Sequence, residues 1–556
     1  ADPVTGISAG KTWSRIGAEV APTSSAASGV WLIGEVAENV GAGTWPAPPS
    51  GYVMVVGLPD TAGVDFYPYS MECLYSGTTI RIMGRWNDGS GGGGNQAARI
   101  CGVNLDLSGG ANAPTTVTGQ TVWSFSITGA TQEGIYSEQT GGLWVDSSDN
   151  SYEVGNVWGG VTYDYYNLGF AKFNSSGVLQ WQGVFRQNTG SLSPGMQRAV
   201  CWHGGSDDDA VFMTVFQDSL AGWNKRRHQM VPCDEGTGAE LSSSWNRMVY
   251  MNNENSSINN QMGSTLRRSN VNGTKIATMH DYYDNSDKHL VSPILWDMGR
   301  PYSVSSGWTT TSVGLRNIST GSTDIYGTGV CLDSSDNVYC TGIFYATNID
   351  GSGSNANVFI AKYNSTGTLQ WIYCLRAQAG GVENSMWGGD ITIDGTDLYI
   401  NGYCDDVTGS TTNAGPWIAK VDVSGTPSLT WINHAVSADY NCYGSSIKRI
   451  GSTHVVSMGY GQTPPGAVIG AGVSMNIDGS TTGSTTVDGA NWTVTDMSPY
   501  IVFADAASGG TPNVSLINNG AVSIIEGAIN NTTGGYYNTK VSGAPATTNT
   551  VESGGV

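Results

Sequence analysis

The chain has 556 residues and a formal net charge of −21, with 12% of residues charged and 78 glycines. That balance argues against binding a nucleic-acid backbone, which needs a basic footprint, and no run of 18 apolar residues offers a membrane-spanning helix. Helix formers are scarce, while short runs of Val, Ile, Thr, Tyr and Trp recur, so the chain is expected to be all-β.

No secretory leader is visible; the sequence begins at Ala1, as if a leader or initiator methionine had already been removed. "GISAG" (6–10) matches GxSxG in form only, because no strand precedes it and no helix follows. "GKTWS" (10–14) reads as an isolated strand bearing Trp13. A first unit over 14–68 ends near Phe66, and a second over 69–126 passes through "ARICGVNLDLSGG" to Trp123. The unit at 140–186 is clearer, with "DSSDNSYEVG" (146–155), then "GFAKFNSSGVLQW" (169–181) ending on Trp181. Weaker units follow at 196–247, ending near Trp245, and at 263–310, ending near Trp308. The cluster Lys225-Arg226-Arg227-His228 is expected in a solvated loop.

The unit at 325–374 repeats the clear pattern, with "DSSDNVYCTG" (333–342) and "FIAKYNSTGTLQW" (359–371) ending on Trp371. The unit at 387–433 carries "ITIDGTDLYINGY" and "WIAKVDVSGTPSLTW", ending on Trp431, and 442–494 leads to Trp492. Each unit reads as strand, tight turn, strand, long loop, strand, Ser/Thr-Gly turn, and a fourth strand bearing an aromatic. From Phe66 to Trp492 those aromatics recur every 57 to 64 residues. A four-stranded antiparallel unit at such a period predicts a single large β-propeller.

The quoted units resemble the bacterial and phage β-propeller repeat (SBBP-like) family, closely over 141–186, 325–374 and 387–433 and loosely elsewhere. The resemblance implies a fold rather than an activity. Family members of this kind occur in marine phage virion appendages and in bacterial surface proteins, which implies a similar setting here. Residues 510–545 look like inner strands without a fourth-strand Trp. They predict a composite blade completed by residues 8–14, closing a ring of eight blades plus that ninth by pairing N- and C-terminal strands. Two other arrangements fit the same letters: an eight-bladed ring with an accessory segment, or donation of the N-terminal strand to a neighbouring subunit.

Nine cysteines without a CxxC pair imply neither a zinc ribbon nor a full disulfide framework. A hairpin placing Asp333 opposite Val338 would set Cys331 facing Cys340, as a cross-strand disulfide or as two free thiols. Calcium at Asp146, Asp149, Asp333 and Asp336 is the rival to a purely turn-forming role. "DSSDN" lacks the alternating D-x-D-x-D-G order, and its third equivalent is "DGTD", so no cofactor is expected. The six histidines show no metal spacing, and "GAVIGAG" (466–472) lies in no βαβ unit.

Function is therefore expected in the long, unlike loops after the second strands and between units. Tyr163, Tyr165, Tyr166, Tyr282 and Tyr283 are the candidates for stacking on sugar rings; packing the loop base is their alternative role. The expectation is a non-enzymatic virion component, such as a tail fibre, spike or decoration protein, contacting host-surface glycans. Other assembly subunits are its expected partners, in a homo-oligomer or polymer without membrane insertion. A secreted adhesin or filament subunit is the alternative, and a polysaccharide-acting enzyme comes third.

Overall fold

The computed structural model describes the backbone of the strands given below. Its described side chains lie chiefly in residues 70–84, 142–154, 170–175, 232–237, 275–281, 289–298, 314–319, 324–348, 353–379, 383–407, 413–461, 471–484, 491–507 and 514–517. Among the described residues the chain is all-β and its strands form seven sheets, with one short 3-10 turn at Ser498–Tyr500.

Sheet I holds Asp65–Cys73, Thr79–Asn87, Ala98–Asp106 and Thr116–Trp123. Sheet II holds Gly142–Val145, Ser151–Trp158, Tyr166–Phe173 and Leu179–Gln187; sheet III holds Ala199–Gly204, Asp209–Asp218, Lys225–Asp234 and Arg247–Met251. Sheet IV runs Leu266–Arg268, Lys275–Tyr283, His289–Asp297 and Gly314–Asn317, with Ser303–Val304 beside the far end of its third strand. Sheet V holds Ile325–Leu332, Val338–Thr347, Ser354–Tyr363 and Leu369–Ala379, and sheet VI holds Met386–Asp394, Asp397–Asp405, Ala414–Asp422 and Ser428–Ser437. Sheet VII begins with Asn441–Ile450, His454–Gln462 and Val468–Asn476.

Each is an antiparallel meander, and the first strand of each sheet packs on its neighbours: V on IV, VI on V, VII on VI, and the first strand of I on both VII and II. This face-to-face stacking of four-stranded meanders is the arrangement of propeller blades.

The repeat letters form one ladder across each clear sheet. Tyr152, Lys172 and Trp181 stand side by side on strands two, three and four of sheet II. Tyr339, Lys362 and Trp371 do so in sheet V, and Tyr399, Lys420 and Trp431 in sheet VI. The lysine ammonium lies 5.0–5.8 Å from the tyrosine ring centre in all three. The tyrosine and tryptophan rings are 6.0–6.4 Å apart at steep angles. Such contacts add roughly 0.5–1.5 kcal/mol each beyond burial. The third and fourth strands slip by one residue beside the lysine, so Gln180, Gln370 and Thr430 bulge out exposed. The "LQW" and "LTW" motifs are thus bulge plus buried anchor.

The ends of the chain differ from expectation. Val30–Glu38 pairs antiparallel with Val468–Asn476 and becomes the fourth strand of sheet VII. Thr12–Glu19 then pairs with Val30–Glu38 and with Tyr52–Val55, so 14–68 makes no separate four-stranded unit. Trp13 stands opposite Glu38 and Pro59, not beside strands of 510–545; its side chain lies outside the described residues. Phe66 belongs to the first strand of sheet I rather than to a preceding fourth strand. Trp492 serves sheet VI: its strand Ala490–Asp496 folds back on Gly483–Val487 in a tight hairpin and pairs with Ser428–Ser437.

The expected composite blade at 510–545 is replaced by a belt. After the hairpin on sheet VI, Ile501–Asp505 pairs with the fourth strand of V and Leu516–Asn519 with that of IV. Ile524–Ala528 then pairs with the fourth strand of III and Asn538–Val541 with that of II. The segment visits five sheets in reverse chain order and satisfies their outer rows of N–H and C=O groups, which otherwise invite pairing with other chains. The basic cluster 225–228 also lies in a strand, with Lys225 opposite Asp218 and Arg226 opposite Gln217.

Candidate functional site

The two ends of the sheets have different chemistry. At the end carrying the short turns, side chains are committed to holding the fold. Asp333 accepts backbone N–H groups of Ser335 (2.8 Å) and Asn337 (3.0 Å) on one oxygen, and Asn337 Nδ2 (2.7 Å) and the Tyr339 hydroxyl (3.2 Å) on the other. Asp146 makes the same set with Ser148, Asn150 and Tyr152. Asp149 and Asp336 occupy left-handed backbone at φ 61° and 58°, a conformation that aspartate adopts more readily than most residues with a side chain. Asp149 also accepts the Tyr75 N–H of sheet I at 2.6 Å. These are hairpin turns closing on side-chain caps. No cluster of three metal-ligating residues stands among the described residues.

The turn also corrects the cysteine register. Leu332, not Asp333, faces Val338, so Cys331 pairs across with Tyr339 and Cys340 with Val330. The two thiols are one position out of register and form no disulfide.

The opposite end, where second strands finish and first strands begin, carries aromatic rings in an arc of two groups. His289 meets Tyr326 at 4.4 Å between ring centres, and Tyr326 meets Tyr345 at 6.4 Å. Trp387 stacks on Tyr403 at 4.8 Å and 11°, Tyr403 meets Tyr443 at 4.8 Å, and Tyr443 meets Tyr460 at 4.8 Å. Burial first, then the neighbouring Tyr460, Tyr443 and Tyr345 phenols and the Asp405 carboxylate, push the Tyr403 phenol up. The six Tyr and Trp rings are half-buried. His289 is buried, which pushes its pKa down to about 3 and leaves the ring neutral.

A recurrent backbone device displays these rings. In sheets V, VI and VII the first strand reads aromatic-Gly, namely Tyr326-Gly327, Trp387-Gly388 and Tyr443-Gly444, and slips register immediately afterwards. Opposite stand Gly342, Gly402 and Gly459, where a Cβ would come within 1.6–2.0 Å of the carbonyl oxygens of Tyr326, Trp387 and Tyr443. Only glycine admits so close a backbone approach. The bulge and its facing glycine thus set each ring at this end of its sheet. Sheet I keeps the same register with Tyr67-Pro68 opposite Arg85-Gly84.

The candidates from sequence fall near this end in part. Tyr282 and Tyr283 close the second strand of sheet IV, opposite Leu290 and His289, and Tyr166 opens the third strand of sheet II opposite Trp158. The side chains of these three, and Tyr163 and Tyr165 altogether, lie outside the described residues, as do Trp245 and the side chain of Trp123. Sequence reasoning missed Tyr326, Tyr345, Trp387, Tyr403, Tyr443 and Tyr460. The aromatic-Gly pairs, repeated with a second-strand glycine, were the available signal.

No family model and no curated protein sequence matches the chain. Among solved structures, the polysaccharide lyase Uly1 aligns over 72% of this chain and 88% of its own length, at 8% identity and a TM-score of 0.38. The Dos1 propeller aligns over 73% of this chain and 95% of its own, at 8% identity and a TM-score of 0.33. Neither likeness bears on activity.

Proposed function

We propose that the chain is a seven-bladed propeller, closed by Val30–Glu38, that acts as a non-enzymatic glycan-recognition component of an extracellular assembly. The carrying observation is the arc of half-buried rings over three adjacent sheets, at the end opposite the cap-filled turns. Flat apolar faces edged by phenol hydroxyls suit the alternating C–H and O–H surface of a sugar ring. The sequence resemblance supports placing it in a virion appendage, and an adhesin would use the same surface.

Glycan-array binding of the full chain, followed by titration of each hit, tests this. Trp387→Ala and Tyr443→Ala should weaken binding at least tenfold while the melting curve stays cooperative. Unchanged binding in both variants, or release of cleaved oligosaccharide by the unmutated chain, overturns the proposal.

A further inference from the structure

The Tyr and Trp rings of the arc come in pairs, one pair to a sheet. In each of sheets V, VI and VII the first strand supplies one ring and the second strand the other: Tyr326 with Tyr345, Trp387 with Tyr403, and Tyr443 with Tyr460. Trp387 stands directly opposite Tyr403, and Tyr443 opposite Tyr460. Tyr345 is set diagonally from Tyr326, two places beyond Ile343, and the diagonal is within reach of aromatic side chains. All six rings are half-buried. Because each pair occupies the same place on the repeating unit, the surface itself repeats over three adjacent sheets.

Glycine sets the step from one pair to the next. A Cβ on Gly388, beside Trp387, would stand 3.3 Å from the Gly342 carbonyl oxygen of sheet V, and Gly342 faces Gly327, beside Tyr326. A Cβ on Gly444, beside Tyr443, would stand 2.5 Å from the Gly402 carbonyl oxygen of sheet VI. One on Gly389 would stand 2.6 Å from the carbonyl oxygen of Gly444. Neighbouring sheets therefore meet backbone to backbone at these bulges, where sheets bearing side chains would stack about 10 Å apart. Across the boundary between VI and VII, Tyr403 and Tyr443 come to 4.8 Å between ring centres. A single sugar can cover only one such pair. Successive residues of a linear chain can engage successive pairs, each further contact being made at the high effective concentration that the first one sets.

Resting on the glycan reading above, we propose that the ligand of the arc is a linear glycan polymer, bound along its length across sheets V, VI and VII. Each ring pair is one stacking platform for the chain, and a terminal sugar or short branch engages too few platforms to be held.

The test titrates length series of cello-, xylo-, laminari- and mannuronate oligosaccharides, from disaccharide to hexasaccharide, into the full chain. In at least one series affinity should rise at least about 20-fold from disaccharide to hexasaccharide, because linked contacts multiply, whereas sliding one two-residue site along six residues supplies only about fivefold. Tyr326→Ala in sheet V and Tyr460→Ala in sheet VII remove platforms at opposite ends of the arc. Each should weaken the hexasaccharide at least about fivefold and the disaccharide, which has the other platforms to use, less than about twofold. A rise of fivefold or less in every series, or equal loss for short and long ligands in both variants, overturns the inference while leaving glycan recognition standing. So does an array on which only branched or terminally presented sugars bind. Failure of every glycan on the array to bind overturns the underlying reading instead.

Discussion

Trp431 lays its indole over Gly479 of the adjoining sheet and donates its N–H to the Ile477 carbonyl at 3.0 Å. A Cβ at residue 479 would stand 2.6 Å from Trp431 Cγ, and the glycine holds φ 77°. The relationship recurs between sheets II and III: Trp181 covers Gly238, at φ 64°, and bonds the Glu235 carbonyl at 2.6 Å. Trp308 likewise reaches the Ser365 carbonyl of sheet V at 2.9 Å. Three of the repeat tryptophans therefore join their sheet to the next one's third turn, and in two of these the turn glycine receives the ring.

Gly479→Ala should then cost about 2–4 kcal/mol, combining left-handed strain with overpacking. Trp431→Ala should cost about 3–5 kcal/mol as a large-to-small core change. Because the alanine methyl strikes the indole, Gly479→Ala made in the Trp431→Ala background should cost at least 1 kcal/mol less than alone. Denaturant unfolding of the four proteins measures this, and strict additivity would refute the contact.

How far this was legible in sequence depends on the reach of each interaction. Tyr339, Lys362 and Trp371 were visible as a recurring motif because cross-strand neighbours repeat with the unit. The partner of each tryptophan was not, since it lies in the following unit. Trp492 misled because its distance from Trp431 fits the period, yet its strand turns back onto sheet VI. The belt was unreadable for a related reason. Its strands after the hairpin are four or five residues long, share no motif, and pair with strands that come far earlier in the chain. The arc was overlooked because loop length drew notice to Tyr163 and Tyr282, while the glycines opposite Tyr326, Trp387 and Tyr443 lie within strands, where no long loop marks them.

Asp333 should behave as a cap and not as a metal ligand. Asp333→Ala strands two backbone N–H groups, the Asn337 amide and the Tyr339 hydroxyl, and should cost about 1–2 kcal/mol. Asp333→Asn keeps an acceptor for the backbone pair and should cost less. Melting curves with calcium and with a chelator should coincide; a calcium-dependent rise that Asp333→Ala abolishes would restore the metal reading.

His434 sets a pH limit on stability. Its ring is fully buried, with Nε2 3.1 Å from the Gly415 carbonyl, and burial pushes its pKa down to about 4. Above pH 6.5 the ring is neutral in folded and unfolded chains alike. As pH falls from there to about 4, the unfolded chain takes up a proton that the folded chain refuses. The stabilisation is thus present above the unfolded value and lost on acidification, by about 3 kcal/mol for this group. His289, lowered to about 3, acts in the same direction. His434→Gln, which can still donate to Gly415, should flatten the fall in unfolding midpoint between pH 7 and pH 4 by roughly half. An unchanged slope would mean that His434 is protonated in the folded protein.

The belt should act as an edge guard. Its strands beyond Asp505 cover the fourth strands of sheets IV, III and II, and Val514 and Leu516 are buried against the core. Ending the chain at Ala506 keeps the strands on VI and V but uncovers three consecutive edges. Those edges retain unpaired N–H and C=O rows beside apolar side chains, the combination that drives strand-to-strand association. Light scattering should therefore show a mass that climbs with concentration for the shortened chain but not for the full one. Restoring only Thr511–Asn519 in the truncated protein should lessen that climb, because one edge of the three is covered again. A shortened chain whose mass and melting temperature match the full protein would mean that the belt strands contribute neither protection nor stability.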